Sequence, residues 1–291
     1  MTHPPTRSVL RLTRFCLTTS DAPRLASFYE AAFGAARSKR QRVGGAVFER
    51  LMGVRGGGAR IVLKLGDATV ELIEFDEPGD VYPTRASAAD PIFQHFAVVV
   101  AAMAPAYERL GAAPSRSAIT RHGPQTLPAG AGGVTAFKFR DPEGHPLELL
   151  AFPKAATPVR WRTDKTDGAC LGIDHSAIAC ADTARSIAFY QRLGLTVSAQ
   201  TVNRGSEQAN LDGLARPRVE VVALTPPDPC PHIELLGYGG ATPGGVMRNN
   251  DIAATRLVLE GGTVASALSD PDGHRLIIEP AGRDNATFAL D

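Results

Sequence analysis

The sequence predicts an α+β protein made of four tandem units on one strand–helix–strand plan, the last of them truncated. Three observations carry this. The stretches RFCLTTSDAPRLASFYEAAFG, from Arg14, and HSAIACADTARSIAFYQRLG, from His175, are alike in position and composition, each with an aspartate seven residues and a Phe-Tyr pair fourteen residues after its first position. The candidate unit starts Arg14, His95, His175 and Thr255 lie 81, 80 and 80 residues apart. The closing segments VELIEF, LELLAF and IELLGY each carry a glutamate in second place: Glu71, Glu148 and Glu234.

Each unit opens with a short apolar run that reads as a strand. Seven residues after Arg14 and after His175 stands an aspartate, Asp21 or Asp182, suited to accept from free amides of a first helical turn; Pro23 fits just inside the first helix start. Leu25, Phe28, Tyr29 and Phe33 then form an apolar stripe at helical spacing, echoed by Ile187, Tyr190 and Leu193, and Gly34 and Gly194 supply stops. A weaker copy, HFAVVVAAMAPAYERLG, starts at His95 and ends at Gly111, and a fourth starts near Thr255 in TRLVLEGG.

Two closing strands follow turn signatures, DPEGH from Asp141 and DPDGH from Asp270, whose Pro and Gly suit a tight reversal. Aligning them sets Ile277 where Glu148 lies, with Glu279 two residues beyond. From first strand to last the units run 57, 53 and 59 residues, against 22 in the fourth, which is expected to lack its helix and one strand. Boundaries fall in DEPGDVYPTRASAAD, KAATPVRWRTDKTDG and GGATPGGVMRN. The expected modules are 8–154, with units 8–76 and 92–153, and 170–282, with units 170–238 and 250–281.

With 291 residues, 44% of them hydrophobic, the chain can bury a substantial core. Thirty-one basic against thirty acidic residues leave a charge of +1, without the basic excess of a nucleic-acid binder. Cys16, Cys170, Cys180 and Cys230 form no CxxC pair, and two of them sit in strand-like runs, so they read as small buried hydrophobes. The N-terminal arginines precede no apolar h-region, and the longest apolar run, Phe96 to Ala104, is too short for a bilayer. A cytoplasmic monomer or homodimer with a small-molecule substrate, and neither nucleic acid nor membrane as partner, is the expectation.

The first-strand histidines, the DxxRSxxFY helix and the DPxGHxLEL ending resemble the glyoxalase, bleomycin-resistance and extradiol-dioxygenase superfamily, also called vicinal-oxygen-chelate. The resemblance covers nearly the whole chain. It implies βαβββ units that wrap in pairs into half-open barrels, with a His or Gln on the first strand and a Glu on the last as metal ligands. Carried onto this sequence, the first-strand positions are Arg14, His95, His175 and Thr255, and the last-strand positions Glu71, Glu148, Glu234 and Ile277. Units two and three together keep His95, Glu148, His175 and Glu234. Units one and four keep only Glu71. If units two and three share a barrel they form one intact site beside a degenerate one; if neighbours pair in chain order, the donors are split between two barrels. The first pairing is favoured because it gathers every intact donor.

Two imidazoles and two carboxylates suit one divalent ion such as iron, manganese, nickel or zinc. A substrate with adjacent oxygens would chelate it, and Glu148 or Glu234 could detach as a base for isomerase or lyase chemistry. With Fe(II) the same openness would serve ring cleavage. The approach VTAFKFRDPEG leans against that reading, because Lys138 stands near the Tyr usual in extradiol enzymes and no His lies close upstream. A metal-free small-molecule-binding protein of bleomycin-resistance type is the third reading.

Arg14 and Glu71 mark a possible second or degenerate site, as an ion pair or with Arg14 holding an anionic substrate. His232 shares a strand face with Glu234 and reads as a lining residue; His145 and His274 follow turns and read as structural; His3 and His122 carry no pattern. The glycine-rich GVRGGGAR lacks a following helix and a Lys-Ser/Thr pair, and so reads as a hairpin loop and not a phosphate cradle.

Overall fold

A computed structural model describes residues 9–113, 116–239 and 247–282. Unit one comprises β1 (Val9–Thr18), α1 (Ala22–Phe33), β2 (Ala36–Arg37), β3 (Gln41–Val43), α2 (Gly45–Met52), β4 (Gly58–Leu65) and β5 (Ala68–Phe75). Unit two follows with β6 (Gln94–Val100), α3 (Met103–Ala112), β7 (Ser117–Ala118), β8 (Gln125–Thr126), β9 (Thr135–Arg140) and β10 (Pro146–Ala151). Unit three has β11 (Cys170–Cys180), α4 (Thr183–Arg192), β12 (Thr196–Arg204), α5 (Ser206–Asp212), β13 (Arg218–Thr225) and β14 (His232–Gly237). In unit four only β15 (Arg256–Gly261), β16 (Ser266–Ser269) and β17 (Arg275–Glu279) are found among the described residues. That is the expected loss of one helix and one strand. His3 and part of the third boundary stretch, residues 240–246, lie outside the described residues.

The strands form two open sheets. Units one and four make the terminal sheet, β16-β17-β15-β1-β5-β4-β2 with β3 also on β4; units two and three make the central sheet, β12-β13-β14-β11-β6-β10-β9-β7 with β8 on β9. In each, the first strands of two units run antiparallel at the join, β1 against β15 and β6 against β11. Each first strand lies parallel to its own unit's last strand. No helix among the described residues is long and apolar enough to cross a membrane.

Period-two alternation gives every strand two destinations. One set, including Phe15, Leu72, Phe96, Leu147, Ile178 and Leu257, joins a single core that also takes up Leu25, Phe28, Tyr29 and Phe33 of α1. The rings of Phe15 and Phe96 meet 5.2 Å apart between the two sheets. The other set lines the concave faces where the donor positions lie.

Helix starts follow the sequence. Asp21 accepts from the Arg24 amide at 2.9 Å and Asp182 from the Arg185 amide at 3.0 Å, while Gly34 closes α1 in the left-handed region at φ 68°. The DPxGH turns then clasp the Phe-Tyr helices. Tyr29 donates to Asp141 Oδ2 at 3.4 Å, and Tyr190 donates to Asp270 Oδ2 at 3.1 Å. Units are therefore joined in two ways, one with four and two with three through sheets, one with two and three with four through these clasps.

Register corrects one expectation. Glu71, Glu148 and Glu234 face Cys16, Ala97 and Ala177, each two residues beyond Arg14, His95 and His175. Ile277 faces Val258, so the matching first-strand residue of unit four is Arg256 and not Thr255. The glycine-rich run is not a hairpin loop either: it carries the chain from α2 to β4, with Gly53 left-handed at φ 66° as the helix stop. Helix α2, between β3 and β4, is an addition to the βαβββ plan and has a counterpart in α5, between β12 and β13. All four cysteines are unpaired, and Cys170 as well as Cys16 and Cys180 falls within a strand.

Candidate metal centre

On the concave face of the central sheet, the two antiparallel first strands bring units two and three together. His95 and His175 project from β6 and β11, and Glu148 and Glu234 from β10 and β14, all on one face. His95 Nε2 lies 2.8 Å from Glu148 Oε2, and His175 Nε2 lies 3.7 Å from Glu148 Oε2 and 3.5 Å from Glu234 Oε2. One donor atom from each of His95, Glu148 and His175 lies within 4.8 Å of the others.

Electrostatics sort the four. Burial opposes the charge of Glu148, but hydrogen bonds from His175 and His95 and the field of Lys138 outweigh it, so its carboxyl sits well below the usual range. Glu234 is also lowered, burial again being overcome by His175 and His232. Burial alone dominates at His95 and lowers its pKa. At His175 burial is outweighed by Glu234, Asp174 and Glu148, and the pKa rises well above that of a free imidazole.

Several partners were not legible in the sequence. Asp174 Oδ2 lies 3.1 Å from His175 Nδ1, and Trp161 Nε1 donates to Asp174 Oδ1 at 2.9 Å. Strict alternation would send Asp174 to the opposite face from His175. The register of β11 against β6 shifts between Ile173 and His175, and such an irregularity re-aims a side chain. Burial resists ionisation of Asp174, yet His175, His232 and Trp161 bring its pKa down to about 2. His232, expected as a lining residue, is not on the cavity wall but beside the quartet: its Nε2 lies 3.6 Å from Glu234 Oε1, and with Asp174 and His175 it forms a second group within 4.8 Å.

Lys138, directly opposite Glu148 on β9, reaches Asp212 of α5 at 2.7 Å, and Gln208 donates to the other Asp212 oxygen at 2.7 Å. Burial works against the Lys138 charge, but Asp212 and Glu148 raise its pKa overall. Lys138, Gln208 and the quartet line a cavity of about 280 Å³ whose remaining walls include Leu127, Leu150, Phe152 and Leu236.

The terminal sheet differs. Arg14 Nε lies 3.2 Å from Glu71 and its Nη2 lies 2.7 Å from Glu279, while Arg60 reaches Glu71 at 3.4 Å. Phe48, Leu51 and Met52 of α2 cover this face, packing on Cys16, Ile73, Val258 and Ile277. His145 and His274 are structural: His145 Nδ1 meets Asp141 at 2.8 Å and its Nε2 meets the Thr18 carbonyl at 2.9 Å, and His274 Nε2 meets the Ala179 carbonyl at 2.8 Å. His122 lies in an exposed turn with φ 63°.

Two open sheets, one of which gathers His95, Glu148 and His175 from first and last strands within reach of one ion, define an α+β architecture of metal-chelating type. A family model described as Glyoxalase/Bleomycin resistance protein/Dioxygenase superfamily matches residues 11–149 and 172–260. The chain belongs to that superfamily. Among solved structures it resembles glyoxalase I from Zea mays, at 16% identity and a TM-score of 0.58 over 92% of this chain and 91% of that one. It also resembles a putative dioxygenase from Bacillus subtilis subsp. subtilis str. 168, at 11% identity and a TM-score of 0.57 over 96% of this chain and 88% of that one. Both likenesses concern the fold. No curated protein matches the sequence.

Proposed function

We propose that the central sheet holds one divalent metal ion on His95, Glu148, His175 and Glu234, and that the protein is a metal-dependent isomerase or lyase acting on a small substrate with adjacent oxygens. The convergence of two imidazoles and two carboxylates from four equivalent strand positions carries this reading. The donor set fits a borderline ion. The fit extends one layer out, because Asp174 at His175 Nδ1 turns Nε2 toward the carboxylates, the arrangement by which carboxylates orient ligating histidines. When bound, the ion would stabilise negative charge on the substrate oxygens.

The two carboxylates suit different tasks. Glu148 is pinned by His95 and His175 and faces Lys138, so it stays a ligand. Glu234 has 23% of its side chain exposed and its contacts with His175 and His232 are 3.5 and 3.6 Å, which leaves it room to turn and take a proton from the substrate. His232 stands next to Glu234 Oε1 to relay that proton. The cavity, at about 280 Å³, falls at the lower edge of the ~300–1,000 Å³ usual for ligand sites, so the substrate is small.

Metal analysis of purified protein and calorimetric titration with Ni(II), Zn(II), Mn(II) and Fe(II) test the reading. One ion per chain is expected, with binding abolished by His95→Ala with His175→Ala. Asp174→Asn should weaken it about 10–100-fold, the usual cost of losing an orienting partner. Stoichiometric iron with catechol turnover would move the assignment to ring cleavage. Absence of metal binding, with ligand binding indifferent to both histidine substitutions, would remove both enzyme readings in favour of a binding protein.

A further inference from the structure

The terminal sheet has lost its donor set, but its concave face ends in a basic pocket of about 170 Å³ lined in part by Arg50, Asn249, Arg256, Ser269, Arg275 and Ile277. Arg256 and Ile277 are unit four's counterparts of His95 and Glu148. We propose that this pocket binds a small oxyanion of phosphate type.

Charge balance is the first argument. Arg14 and Arg60 on the same face are countered by Glu71 and Glu279. Among the described residues no carboxylate lines the pocket, and none forms an ion pair with Arg50, Arg256 or Arg275. The nearby Asp251 pairs with Arg248 at 3.1 Å and its field reaches Arg275, but it does not line the pocket and burial outweighs it at Arg275. Arg256 and Arg275 are register partners on the parallel strands β15 and β17, which sets two like charges side by side. Arg256 is only 1% exposed.

The second argument is donor accounting. Arg256 spends its donors on the backbone carbonyls of Met52, Ala254 and Asn249, which satisfy N–H groups without cancelling charge. Arg275 gives Nε to Asn249 at 2.7 Å and Nη2 to the Met247 carbonyl at 2.7 Å. Its Nη1 is buried and has no acceptor. An oxyanion would supply both the missing acceptor and the missing charge, and guanidinium groups match its geometry. Burial in this basic surrounding lowers the Arg256 pKa to about 10. The volume is well under the ~300 Å³ at which drug-sized sites begin, which selects a small ion.

Calorimetric titration with sodium phosphate, against sodium chloride at equal ionic strength, tests the proposal on the whole chain. One saturable phosphate per chain is expected, with a rise in Tm that chloride does not reproduce. Arg50→Met should weaken binding about tenfold and Arg275→Met should abolish it. Should Arg275→Met fail to fold, Arg50→Met, which alters only an exposed side chain of α2, decides the question. The His95→Ala, His175→Ala double variant should bind phosphate like the unaltered protein, which keeps this result separate from the metal reading. Absence of saturable phosphate binding overturns the proposal, as does binding indifferent to Arg50 or lost with the two histidines.

Discussion

The two concave faces share one backbone register and differ in what stands on it. At equivalent positions the central sheet carries His95, Glu148, His175 and Glu234, and the terminal sheet carries Arg14, Glu71, Arg256 and Ile277. Both sheets nevertheless keep the elements that build the fold: capped helices and Asp turns held by Tyr29 and Tyr190. Structural motifs and donor positions have therefore parted company within one chain. The arginines convert a face suited to a cation into one with buried positive charge, and α2 fills part of the space.

The largest expected effect that breaks the symmetry is Arg14→Met. It leaves Glu279 without its 2.7 Å partner and removes one of the two arginines on Glu71. Uncompensated buried charge costs about 3–5 kcal/mol. Denaturant unfolding should show a loss of that order, while metal stoichiometry at the central sheet is unchanged. Equal loss of metal would mean that the two faces do not act independently.

How far the sequence went depends on the kind of signal. Repeat spacing, caps and closing glutamates are local patterns, and they gave the starts of α1 and α4, the truncated last unit and the residues that meet on the central sheet. Pairing of units two and three is a long-range choice that linkers do not encode; the join of β6 to β11 resolves it. Asp174 escaped because an irregular strand register breaks the period-two rule, and Thr255 stood in for Arg256 because the shortened unit has no helix to anchor the alignment. Asp212 and Gln208 lie on α5, an insertion that the repeat does not foreshadow.

A smaller effect concerns the clasps, which are alike in outline but not in charge. His145 is buried between Asp141 and the Thr18 carbonyl. Burial lowers its pKa, but Asp141 and Glu143 outweigh that and the net shift is upward. A raised folded-state pKa contributes stability that is fully present below the unfolded value of about 6.5 and is lost as pH rises through the folded value. The stability gap between the unaltered protein and His145→Gln should therefore be widest near pH 6 and narrow as pH rises. A gap that widened with pH would show that His145 is held neutral.

The finest test separates the two tyrosines. Tyr29 and Tyr190 occupy equivalent places, yet Asp141 Oδ2 also has His145 Nδ1 at 2.8 Å, whereas Asp270 Oδ2 has Tyr190 as its hydrogen-bond partner at 3.1 Å. The turn amides of Asp272 and His274 use the other oxygen, Asp270 Oδ1. Tyr190→Phe thus strips a buried carboxylate oxygen, at a cost of about 2 kcal/mol, while Tyr29→Phe removes a second donor for about 0.5–1 kcal/mol. Equal losses in denaturant unfolding would mean that His145 does not support Asp141, and the clasp joining units one and two would then depend on its tyrosine as fully as the clasp joining units three and four.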